Sequence, residues 1–188
     1  MEIRQKEATI ARREIEAKLA TIGDYVKMDF LQQCLKKQLD FDTRKFVLNK
    51  LAEIYESRKM YLEAGKLIRA AADINTTFEN KMNDFMKSTE LFIKAGNYDE
   101  ADISFAKALA SANERQKLAI KIKMKDICKM QASEFISRDK RKHAMLAYEK
   151  LLAMELDSAE KRGIQQQLLG LYEKLGKVKE YYAIQKNM

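Results

Sequence analysis

The chain has 188 residues, 46% hydrophobic and 34% charged, with a formal net charge of +8, no proline, six glycines, two cysteines and one histidine. That length excludes two comfortable independent domains, and that hydrophobic share excludes wholesale disorder. The residues that dominate, Ala, Leu, Lys, Glu, Met and Gln, lose least on entering a helix, so an all-α chain is predicted.

The first twenty residues carry nine charges, which leaves no room for the apolar core of a secretory signal. No stretch approaches the roughly 20 apolar residues of a membrane-spanning helix, so a cytosolic protein with no transmembrane segment is expected. In chain order a short hinge then recurs, at Gly23-Asp24-Tyr25, Lys59-Met60-Tyr61, Gly96-Asn97-Tyr98, Asp139-Lys140-Arg141 and Gly176-Lys177-Val178. The intervals are 36, 37, 43 and 37 residues, with a helix-period apolar pattern on either side. Each hinge therefore joins two antiparallel helices, and five such hairpins fill residues 1–188 as a single domain. Glycine suits the hinge because a helix commonly ends in a left-handed residue; Lys59 and Asp139 lack that advantage.

The first hairpin is the most irregular, with Arg12 and Glu16 at positions where apolar or small residues are expected. In the second, Leu48, Leu51, Ala52 and Tyr55 face Ala64, Ile68 and Ala71. Phe85, Phe92, Ala101, Phe105 and Ala108 hold the matching places in the third, where Ser88 and Thr89 replace a Leu-Ala pair. The fourth keeps Ala132, Phe135, Ala144, Tyr148 and Leu151. Its first helix extends backwards through a stretch, AIKIKMKDI, that alternates like a strand, yet Ile120, Met124, Ile127 and Cys128 share one helical face and helix is predicted. The fifth supplies Leu168, Leu169 and Tyr172, then a short second helix.

An aromatic residue before a Gly-x-Tyr hinge and an alanine after it, best seen in Phe92, Gly96, Tyr98, Ala101, Phe105 and Ala108, resembles the tetratricopeptide repeat and the related helical hairpins of vesicle-attachment and regulatory-particle scaffold proteins. The resemblance spans residues 10–188; the repeat is longer than that family's 34 residues and lacks its proline. It implies a right-handed superhelical α-solenoid of about five antiparallel helix hairpins, whose first helices line a concave groove that holds a peptide or helix of a protein partner. In that register Asn49, Glu53, Asn83, Met86, Glu90, Lys129, Ser133, Gln166 and Lys174 face the groove. Family members that grip acidic chaperone tails use a lysine-asparagine clamp; Asn49, Glu53 and Met86 stand at the matching places, which disfavours that partner.

The charge excess is concentrated. Arg115, Lys117, Lys121, Lys123, Lys125, Lys129, Lys140, Arg141 and Lys142, with Arg138, form a basic patch, and Lys117, Lys121, Lys125 and Lys129 recur at every fourth residue, a slowly winding helical stripe. A solvated face is the plainer explanation; RNA, an anionic surface or an acidic peptide is the sharper one. No exposed aromatics interleave the stripe for base stacking. No nucleophile, phosphate loop or metal-ligand spacing is present, so no enzyme, cofactor or metal is expected, and the lone His143 follows a basic turn. Cys34 and Cys128 are predicted as buried thiols. Met28, Met60, Met86, Met124 and Met154 are predicted to fill gaps between helices. Tyr181, Tyr182 and Ile184 form a terminal apolar patch suited to a homo-oligomer or a subunit of a larger assembly.

Overall fold

The computed structural model describes residues 11–186 and Met188. Residues 1–10, and with them part of the expectation about the chain's opening segment, lie outside the described residues. Ten helices follow in order: α1 Arg12–Thr21, α2 Asp24–Leu35, α3 Phe41–Ser57, α4 Tyr61–Asp73, α5 Phe78–Lys94, α6 Tyr98–Ala110, α7 Glu114–Ser137, α8 Arg141–Leu152, α9 Ser158–Leu175 and α10 Val178–Gln185. The described residues contain no strand, and the alternating AIKIKMKDI lies wholly within α7. Among them no helix is long and apolar enough to cross a membrane.

Two kinds of connection alternate along the chain. Inside four of the hairpins a single residue is left-handed: Lys59 (φ 60°), Gly96 (φ 72°), Asp139 (φ 54°) and Gly176 (φ 68°). Beyond three of them the next amide reaches back five residues. Met60 donates to the Tyr55 carbonyl at 2.9 Å, Lys140 to that of Phe135 at 2.8 Å and Lys177 to that of Tyr172 at 2.9 Å. These bonds satisfy carbonyls that a helix end leaves open. Gly23 departs from the expected left-handed hinge. Its backbone is extended (φ −76°, ψ 163°) and it caps the start of α2 instead. Between hairpins the turns end on a side-chain cap: Asp40 accepts from the Thr43 amide, Thr77 from Asn80, Asn113 from Gln116 and Asp157 from Glu160. The last two are reciprocal capping boxes.

The aromatic residue four before each left-handed hinge is buried: Tyr55, Phe92, Phe135 and Tyr172. A polar group 23 residues earlier, on the second helix of the preceding hairpin, meets three of them. Gln32 donates to the Tyr55 hydroxyl at 2.5 Å, the Arg69 guanidinium lies 5.0 Å over the Phe92 ring, and the Tyr172 hydroxyl donates to Glu149 at 2.8 Å. The aromatic ring is thus held between helices, through its hydroxyl at Tyr55 and Tyr172 and through its face at Phe92. The alanines five residues past the hinges, Ala64, Ala101 and Ala144, are completely buried and let the helices approach.

The chain divides into two compact units, Met1–Ala95 with Asp99–Ala112, and Gly96–Tyr98 with Asn113–Met188. In the first, α2 packs on α3, α3 on α4 and α4 on α5. Its core includes Ile15, Leu31, Val47, Leu51, Ile68 and Leu91. Here Ser88 and Thr89 explain themselves. The Ser88 hydroxyl donates to the Gly65 carbonyl at 2.9 Å and lies 3.1 Å from that of Ser104, while Thr89 bonds back to Phe85 at 2.8 Å. Three helices meet at Gly65, Ser88 and Ser104, and at Gly65 an added Cβ would lie 2.9 Å from the Phe92 ring. In the second unit α7 packs on α8, α8 on α9 and α9 on α10. Ile120, Met124, Ile127 and Cys128 are buried along one face of α7, as the sequence pattern predicts.

Cys34 and Cys128 are both free and buried, and burial pushes the Cys34 thiol up. The methionines divide. Met86 and Met124 are core, Met28 and Met154 are half-buried, and Met60 is exposed. His143 is exposed, with its ring 5.3 Å from Phe135 and beside Gly96.

Candidate functional site

In the first unit α1, α2 and α3 enclose a cleft of about 430 Å³. Leu19, Ala20, Leu31, Phe46 and Ile54 give it apolar walls, and the expected groove residue Glu53 stands on its edge. The rim charges are already matched. Lys50 pairs with Glu53 at 2.8 Å, Lys27 with Asp24 at 3.3 Å and Arg12 with Glu16 at 2.8 Å. Arg12 also lies 4.5 Å over the Phe46 ring. Of the two charged α1 positions that break the apolar pattern, Glu16 lines the cleft and Arg12 pairs with it, so the apolar walls are bordered by ion pairs.

The remaining groove candidates of this unit are scattered in character. Asn49 is half-buried and Asn83 exposed, while Glu90 is half-buried and held by Lys94 at 2.7 Å. Met86 is 3% exposed and belongs to the interior, so its side chain offers nothing to a ligand on the surface.

In the second unit Lys129, Ser133, Gln166 and Lys174 all reach the surface. Lys129 and Ser133 lie in one stripe along α7 with Leu118, Ile122, Asp126 and Ile136, at successive spacings of 4, 4, 3, 4 and 3 residues. Leu118 is 64% exposed, Ile122 49% and Ile136 42%, and Met130 beside the stripe is 63% exposed. Sequence reasoning missed these four as surface residues because α7 is apolar on both faces, and only the contacts of its inner face tell the two apart. On α9, Gln166 is flanked by Gly163 and Gly170, where an added Cβ would meet open space.

The basic stripe is internally compensated. Lys117 pairs with Glu114 at 2.7 Å and Lys121 with Glu155 at 4.0 Å. Lys125 lies 3.6 Å from Glu160 and donates to the Glu155 carbonyl at 3.2 Å, and Lys129 pairs with the same Glu160 at 2.5 Å. Glu160 is held below the usual carboxylate range by its hydrogen bond from Lys129, and Lys129 is raised by the same bond. Lys121, Lys125 and Lys129 thus tie α7 to Glu155 in the α8–α9 connection and to Glu160 in the first turn of α9, while Lys117 pairs within α7. Arg138 pairs with Glu134 and Arg141 with Asp139, and both are exposed, as are Arg115, Lys123, Lys140 and Lys142.

Tyr181 and Ile184 are half-buried and Tyr182 is exposed, its ring edge-on to Tyr181 at 5.6 Å. Among the described residues no cluster of three or more His, Cys, Asp or Glu side chains is placed to hold a metal ion. No protein-family model matches the chain, and no curated protein matches it.

Proposed function

We propose that this chain is a non-catalytic, cytosolic protein-interaction adaptor that holds a peptide or helix of a partner protein. The reading includes the tetratricopeptide-like class and the right-handed superhelical solenoid expected from the sequence. The observation that carries it is the cleft of about 430 Å³ between α1, α2 and α3. Its apolar walls and matched rim charges suit an apolar anchor side chain presented by a peptide, and its volume falls in the range of pockets that bury such a group. An RNA- or ribosome-associated role through residues 115–142 is the weaker reading. Counterion release draws on cations free to meet phosphate, and two lysines of the stripe, Lys125 and Lys129, are shared with the half-buried Glu160.

The test is panning of the immobilised full chain against a phage-displayed library of random peptides of about 20 residues, followed by titration of the enriched peptides. Ala20 is exposed and lines the cleft, so Ala20→Trp fills the site from its rim without cutting into the core. Enriched peptides that lose about tenfold in affinity for Ala20→Trp support the adaptor reading. A library that yields no binder overturns it.

A further inference from the structure

The two units differ in charge. Residues 113–188 hold seventeen Lys or Arg against ten Asp or Glu, an excess of seven, whereas residues 1–112 hold nineteen against eighteen, an excess of one. Nearly all of the chain's positive excess therefore belongs to the unit that also carries the outward apolar stripe of α7. Leu118 and Ile122 at one end and Ile136 at the other are separated by the polar Asp126, Lys129 and Ser133, so the stripe is apolar at both ends and polar in the middle. At 1.5 Å per residue it is about 27 Å long. Arg115 and Lys123, both exposed, flank its apolar N-terminal end. Asp126 is its one acidic member, close enough to Lys129 to act on its charge.

We propose that this stripe is a second docking surface, and that its occupant is an acidic amphipathic helix of a partner protein, lying along α7. Charge complementarity selects the occupant. An excess of seven positive charges repels basic segments and attracts acidic ones, while exposed Leu and Ile favour a ligand with apolar side chains over a bare phosphate backbone. A helix matches the length and the 4-4-3-4-3 spacing, because a helix laid on a helix meets one row of side chains every three to four residues. The surface rests on the adaptor reading for its class of ligand, but it shares no residue with the cleft in the first unit.

The same random-peptide library, panned on the full chain, tests it with variants at exposed positions only. Leu118→Asp with Ile122→Asp removes the apolar end, Arg115→Glu with Lys123→Glu reverses its flanking charge, and Leu118→Gln with Ile122→Gln serves as a milder pair if the aspartates disturb the helix. Far-UV circular dichroism and thermal midpoint establish that each variant is folded. The expected result is a set of Glu- and Asp-rich peptides whose affinity falls about tenfold in the apolar-end and charge-reversal variants and stays unchanged in Ala20→Trp. Peptides without acidic excess, or acidic peptides indifferent to Leu118 and Ile122, would overturn the inference and leave the adaptor reading standing. No enriched peptide at all overturns both. A single-stranded oligouridylate that binds the wild type, loses affinity on charge reversal and ignores Leu118→Asp with Ile122→Asp would assign the surface to nucleic acid instead.

Discussion

Glycine occurs in the interior of α4 and of α9, and the two helices use it in opposite ways. At Gly65 on α4 an added Cβ would lie 2.9 Å from the Phe92 ring, which is completely buried, and the Gly65 carbonyl accepts from Ser88. The missing side chain is what lets α4 and α5 close on each other. At Gly163 and Gly170 on α9 a Cβ would meet nothing within 4 Å. There glycine brings its cost in backbone freedom with no internal packing gained. The first unit has tightened its helix contacts with small residues, and the second leaves a bare outward face beside Gln166.

That contrast gives one substitution opposite signs. Gly65→Ala should destabilise by about 1–3 kcal/mol, because the ring it strikes has no space into which to move. Urea unfolding with a constant m-value measures it. Next in size, Ser88→Ala should cost roughly 1–2 kcal/mol in the same assay, since the Gly65 carbonyl and the Ser104 hydroxyl lose their shared partner in the interior. Gly163→Ala and Gly170→Ala should each stabilise by up to about 1 kcal/mol, as alanine does in an open helix interior. A loss of stability at either α9 position would mean that the outward face is packed against something.

The hinges sharpen the comparison further. Lys59 is left-handed without being glycine, so Lys59→Gly should raise the thermal stability by about 0.5–1 kcal/mol. Asp139→Gly should gain less, because a short polar side chain tolerates that conformation.

The smallest effects are those of pH. Asp40 is held below the usual carboxylate range by the Thr43 hydroxyl, and Glu160 by Lys129. Both contribute stability that is present at neutral pH and lost as pH falls through their lowered values. Urea midpoints between about pH 3 and pH 7 should decline more shallowly at the acid end for Glu160→Gln than for the wild type. At the alkaline end burial pushes up the hydroxyls of Tyr98 and Tyr172. Their neutral forms support the fold fully below about pH 10, the unfolded value, and that support fades as pH climbs above it.

Much of this architecture was legible because it is written in local spacing. Tyr55, Phe92, Phe135 and Tyr172 mark the hinges from four residues upstream, so Lys59 and Asp139 could be placed even without glycine. Gly23 misled because a glycine before Asp-Tyr looks the same whether it ends one helix or caps the next. The site was harder. The partners of Lys125 and Lys129 are Glu155 and Glu160, about thirty residues away, and no local rule links them. Met86 sits in a helix whose inner face is broad enough to take it in, which periodicity alone does not reveal. The α7 stripe was not legible because Leu118 and Ile122 are as apolar as Ile120 and Met124, and their exposure depends on which face the neighbouring helices cover.

The central structural claim is that within each unit the second helix of one hairpin closes on the first helix of the next in a fixed register, and the contact of Gly65 with Phe92 tests it most directly. A double-mutant cycle of Gly65→Ala with Phe92→Leu, followed by urea unfolding, measures their coupling. In the Phe92→Leu background the added methyl should lose most of its penalty, giving a coupling of about 1 kcal/mol or more. Independent, additive effects of the two substitutions would contradict the register.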